Sequence, residues 1–170
     1  MTMCGNMVVL MDVLLAIKPE FAEKILDGGK EYEFRRTSFQ NSEEIDLIFL
    51  YASSPVSKIV GLFTSDRVVE ATPAELWTLF GSESGIDDKS RFMSYFEGVD
   101  TGFAIQVDQT HEFKDPIDQE TVLENFSPPM SFNYLNPMDS KSLRDHVPSS
   151  FQTRIVPTDL TRYQTSRNTE

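Results

Sequence analysis

The sequence predicts an α+β fold in which a strand-rich unit carries helices on its outside. Three features of the chain lead there: short apolar runs bounded by turn residues, two helices with strong start signals, and a late segment that alternates apolar and polar residues. At 170 residues with 39% hydrophobic content and 13 Phe, the chain can bury one substantial core and carry a modest appendage.

The elements follow in order. Residues 13–17, VLLAI, form an apolar run with β-branched ends and read as a buried strand. Pro19 suits the first turn of a helix whose apolar face is Phe21, Ala22, Ile25 and Leu26, and Gly28 and Gly29 end it. Residues 30–36, KEYEFRR, continue as a strand with Tyr32 and Phe34 pointing inward. IDLIFLYAS (45–53) is apolar almost throughout, as expected for a central strand, and residues 57–72 read as one long strand bent at Gly61.

Thr72, Pro73 and Glu75 spell a capping box before a helix whose apolar side holds Leu76, Trp77 and Phe80. Asp87 or Asp88 caps a second helix, KSRFMSYFE, with Phe92, Met93 and Phe96 on one side. Residues 101–113 read as one half-buried strand alternating Phe103, Ile105 and Val107, followed by a turn and short helix. SPPMSFNYL (127–135) reads as an extended closing segment, because its prolines exclude a helix. Beyond Asn136 the apolar residues become sparse. The expected division is a leader at 1–10, a domain at 11–135 and a flexible polar tail at 136–170.

Composition narrows the chemistry. No run of about 18 apolar residues exists and the N-terminal stretch has no signal-peptide pattern, so a cytoplasmic protein without a membrane span is expected. Cys4 has no partner for an internal disulfide, and with His111 and His146 it makes too small a set for an ordinary zinc site. Neither metal nor cofactor is expected. The formal charge of −12 argues against coating long duplexes, since that affinity comes from neutralising phosphates. Yet the cations concentrate at Lys18, Lys24, Lys30, Arg35, Arg36, Lys58 and Arg67, whereas residues 71–135 hold three Lys/Arg against twelve Asp/Glu. A small anionic or nucleotide ligand could be bound locally, and the acidic stretch offers a surface for a protein partner.

Read with gaps, residues 28–35 are Gly28-x-Lys30-x-x-Glu33-x-Arg35. That spacing resembles the G-x-K-x-x-E-x-R signature of ASCH domains, relatives of the PUA and EVE families of RNA-associated modules. LLAIKPEFAEKILDGGKEYEFRR, LIFLYASSPVSKIVGLF, GFAIQV and SPPMSFNYL resemble the strands and helix around that signature, over residues 13–135. The resemblance implies a small PUA-like mixed β-barrel with flanking helices and a cleft near the signature. It further implies binding of RNA or a modified nucleoside. Some small members hydrolyse the acetyl amide of a modified cytidine with a lysine, a hydroxyl residue and a glutamate. Lys30 matches that lysine, but Glu33 stands where the hydroxyl would be, which counts against that subgroup.

The expected ligand-binding residues are Lys18, Lys30, Glu33, Arg35, Tyr51, Ser53, Ser131 and Tyr134. Regular pleating would put Lys30 on the face opposite Glu33 and Arg35, so the three converge only if Lys30 sits in the turn after Gly29. Failing that, they form a solvated strand face with weak ion pairs. Three functions are open: a binding module for RNA or a modified nucleoside; an enzyme, either an amidohydrolase of acylated cytidine or a ribonuclease, with Lys30 and Glu33 catalytic; and a protein-interaction domain.

Overall fold

A computed structural model describes residues 10–151 and shows a mixed α+β architecture built on two sheets. The larger sheet has the spatial order β7 (Thr110–Ile117), β4 (Lys58–Phe63), β3 (Ile45–Ala52), β1 (Met11–Ile17) and β8 (Phe132–Tyr134). The smaller has the order β2 (Tyr32–Arg35), β6 (Gly102–Gln106) and β5 (Val68–Ala71). β1 and β3 pair in parallel and every other pair is antiparallel.

The continuous apolar character of β1 and β3 has a simple cause: both faces of the larger sheet are covered. Leu14, Leu47, Phe49 and Tyr51 enter one core, and Val13, Leu15, Ile48 and Leu50 enter another on the opposite face. Helix α1 (Pro19–Leu26) covers that second face with Ala22 and Ile25. The smaller sheet buries Tyr32, Phe34 and Ala104 against Leu76, Phe80, Phe92 and Phe96 of the α2 (Pro73–Phe80) and α3 (Lys89–Tyr95) region. The capping box at Thr72 and Glu75 is formed, and Asp88 caps α3.

Two expected long strands are each two shorter ones. Residues 57–72 divide into β4 and β5, and residues 101–113 into β6 and β7, so at each of these two places the chain passes from one sheet to the other. The passages are fastened at buried Thr64. Its N–H donates to the Gln109 carbonyl, its carbonyl accepts from Asp108 N–H, and its hydroxyl accepts from Gln109 N–H, at 2.8, 2.8 and 3.2 Å. The polar triplets Thr64-Ser65-Asp66 and Asp108-Gln109-Thr110 interrupt the apolar pattern, and the sheets separate there. Gly61 has a reason beyond bending: a Cβ there would come within 2.5 Å of the His111 carbonyl oxygen, so glycine is what lets β7 lie against β4.

The expected boundary at residue 135 is also displaced. Residues read as the start of a tail form α5 (Pro137–Arg144), capped by the Asn136 side chain, which accepts from Asp139 N–H at 2.9 Å. Leu143 and Val147 enter the core beside Leu14 and Leu135. Arg144 reaches both buried carboxylates of the larger sheet, Asp12 at 2.6 Å and Asp46 at 2.5 Å. Two apolar anchors make no periodic stripe, and the ionic partners lie in distant sequence, so the pattern was illegible. α4 (Gln119–Val122) packs beside α5. The leader through residue 9 and the tail from residue 152 lie outside the described residues.

Candidate functional site

The signature folds as a helix end, a turn and a strand. Gly28 adopts φ +88°, a left-handed conformation available to glycine, and Gly29 N–H donates to the Asp27 carboxylate at 2.8 Å. Lys30 N–H closes the turn on the Lys24 carbonyl at 2.9 Å. Because regular pairing begins only at Tyr32, Lys30 is free of the strand's alternation. Its side chain joins Glu33 and Arg35, while Tyr32 and Phe34 turn to the core.

The three charges form one buried row. Lys30 Nζ and Arg35 Nη1 each lie 3.4 Å from Glu33, on Oε2 and Oε1 respectively. Lys30 is 2% exposed, donates to the Ser84 carbonyl, and lies 5.2 Å from the ring centroids of both Phe21 and Phe34. Burial pushes its amine below the usual lysine range, and the charge of Glu33 opposes that shift. Arg35 ties three chain segments together. It donates to the Ala16 carbonyl at the end of β1, to Glu33, and to the carbonyl and hydroxyl of Ser131, the last at 2.8 Å. Each glutamate oxygen is thus held from one side by one cation, with no N–H or O–H of its own to offer.

Above this row opens a cleft of about 750 Å³ between the end of β1, the start of α1, β2, α3 and the segment before β8. Six of the eight expected residues line it: Lys18, Lys30, Glu33, Arg35, Ser53 and Ser131. Tyr51 and Tyr134 do not. Alternation along β3 sends Tyr51 to the opposite face, where it is 4% exposed with its ring 5.3 Å from Phe126. Tyr134 lies on β8 and its hydroxyl accepts from Gln40 N–H at 3.1 Å.

The cleft also holds residues not expected, chiefly Arg36, Arg91 and Tyr95. Arg91 pairs with Glu20 and stands over the Phe21 ring at 5.1 Å. Tyr95 is 40% exposed, and burial of its hydroxyl pushes the phenol above its usual range, within electrostatic reach of Arg35 and Glu33. Arg91 and Tyr95 are i and i+4 on α3, along one flank of the face that buries Phe92. That spacing was readable, but which element the polar face meets was not. Among the described residues the lining therefore carries five basic side chains, Lys18, Lys30, Arg35, Arg36 and Arg91, against the single carboxylate of Glu33.

No family model matches the chain. A protein of Zymomonas mobilis named ASCH domain-containing ribonuclease is 28% identical over 135 residues, covering 78% of this chain and 89% of that one. Among solved structures, the ASCH protein of Zymomonas mobilis superposes with a TM-score of 0.69 at 26% identity, covering 79% of this chain and 94% of its own. A serine-to-alanine mutant of that protein gives a TM-score of 0.72 with the same coverage. The N-terminal domain of Staphylothermus marinus McrB, at 11% identity and a TM-score of 0.53, shares the fold. With the signature folded as one site and the architecture shared over 79% of this chain, the chain is similar in sequence and fold to the ASCH protein of Zymomonas mobilis, which supports an ASCH domain here.

Proposed function

We propose that the cleft binds single-stranded RNA, or a modified nucleoside within it, with Lys30, Glu33 and Arg35 as its polar floor. The observation that carries this reading is the sign of the cleft: five basic side chains meet one carboxylate in a protein of net charge −12. A positive cleft in an acidic surface attracts a strand that enters it and repels polyanions from everywhere else. Tyr95, on the lining, is the ring proposed to stack on a base, and Lys18, Arg36 and Arg91, on the same lining, are the cations proposed to meet the backbone phosphates. A cytoplasmic location accords with this reading.

The test is fluorescence anisotropy with a short labelled RNA of mixed sequence. Replacing Lys18, Arg36 and Arg91 together by alanine should weaken binding and flatten its salt dependence, each lost phosphate contact reducing the slope by about 0.7. Unchanged affinity in that variant would overturn the reading.

A second reading puts catalysis in the same cleft, and the name of the Zymomonas mobilis relative favours a ribonuclease. Glu33 is the one carboxylate on the lining among the described residues and can take the proton of a ribose 2′-hydroxyl as its oxygen attacks the adjacent phosphorus. The 5′-oxygen then leaves with a proton from water, and Lys30 and Arg35 neutralise charge on the phosphoryl oxygens. Under this reading, Glu33→Gln retains RNA binding and stops formation of a cyclic phosphate end. Release of acetate from acetylated cytidine by the native protein would instead mark an amidohydrolase.

A further inference from the structure

Glu33 gives the floor of the cleft a hydrogen-bond acceptor flanked by two cations. Both of its oxygens accept hydrogen bonds and neither donates one, and the cations on Oε1 and Oε2 hold the group still. A base docked edge-on against it meets an acceptor at the centre of its Watson–Crick edge. Guanine and uracil carry a ring N–H at that centre, with a carbonyl oxygen beside it. Adenine and cytosine carry an unprotonated ring nitrogen there, which in this register would face the carboxylate lone pair to lone pair; their amino N–H reaches it only if the base slides along the floor.

From this complementarity, which rests on the RNA-binding reading above, we infer that the cleft selects bases with a ring N–H, guanine and uracil, over adenine and cytosine. Glu33 takes the ring proton. The flanking cations favour the carbonyl oxygen that both bases place next to that proton, and the ring lies against Tyr95 at the cleft wall. Phosphate contacts from Lys18, Arg36 and Arg91 are blind to base identity, so they add affinity without preference. Glu33 is accordingly the specificity-determining residue, and Tyr95 the platform that brings the base edge to it.

Anisotropy titrations of oligouridine, oligoadenosine and oligocytidine of equal length test this at one salt concentration. A base-edge contact of this kind is worth roughly one order of magnitude in affinity. Oligouridine should bind about tenfold tighter than either of the others at that value. Oligo-N3-methyluridine, which keeps the ring and carbonyls but lacks the N–H, should fall to the level of oligoadenosine. That arm alters only the ligand, so it holds even where Glu33→Gln fails to fold. In a folded Glu33→Gln protein the three RNAs should converge while the salt slope persists, because an amide can turn its donor to the base. Equal binding of oligouridine and its N3-methyl form overturns the inference and leaves RNA binding standing. Absence of binding to any of the RNAs overturns both.

Discussion

Lys30 shows how a single position separates two roles. Its backbone closes the turn that ends α1, and its amine is buried between two rings, a carbonyl and Glu33. Burial favours the neutral amine, so the folded-state value lies below the ordinary lysine value of 10.5. Between the two values the unfolded chain holds the proton and the folded chain does not, so stability rises with pH across that window. Below it the cost of burying the charged amine is present in full, and above it that cost is gone. Urea midpoints measured from neutral pH up to 10.5 should therefore show a rising contribution that Lys30→Met abolishes. A difference between the two proteins that is flat with pH would mean the amine is not desolvated. That Lys30, Glu33 and Arg35 share one signature is legible from the motif spacing, while their convergence hangs on whether Lys30 sits in the turn after Gly29; that Lys30 also grips the Ser84 carbonyl is not legible, because 54 residues separate them.

Among the elements, α5 is the instructive one. It has little apolar surface of its own and is held through Leu143, Val147 and the bidentate grip of Arg144 on Asp12, which Ser140 and Leu47 N–H also bond. Removing the guanidinium takes the bidentate cation away from buried Asp12. Arg144→Met should cost about 3–5 kcal/mol of stability by urea denaturation, the penalty of orphaning a buried charge. Arg144→Lys should recover only part of it, since an ammonium cannot span Asp12 and Asp46 with the same fork. An unaffected midpoint in the methionine variant would show that α5 is held by its apolar anchors alone. The strands carry a similar lesson. β1 and β3 are legible as central because both faces are apolar, whereas the pattern of β4–β5 and of β6–β7 reads as one strand each. Local pattern records a change of face but not a change of sheet, and the hydrogen bonds of Thr64 that mark the crossing reach residues more than forty positions away.

At the scale of the whole molecule, charge is distributed against its own average. The net charge of −12 sets a repulsive exterior for any polyanion, and the cleft reverses the sign locally. On the proposed RNA-binding reading, a long duplex meets the cleft with only part of its length, and its remainder faces a protein of net negative charge. Competition titrations should thus show single strands displacing labelled RNA at much lower concentration than a duplex of the same sequence, with the gap widening as salt is lowered. A duplex that competes equally well would place the binding surface outside the cleft. Among the described residues no helix is long and apolar enough to cross a membrane.

The order of most elements, their caps, the glycine stop and the G-x-K-x-x-E-x-R spacing are local properties, carried by neighbours within a few residues, and the sequence by itself determined them. Tertiary structure decided what depends on distant partners: that α3 turns Arg91 and Tyr95 toward the signature, that Tyr51 faces away from it, and that residues 136–147 join the core. The physical reason is range. Turns and caps are closed by hydrogen bonds within a few residues, whereas a cleft exists only where separate segments, here the end of β1, β2, α3 and the strand entry at Ser131, are brought to one place.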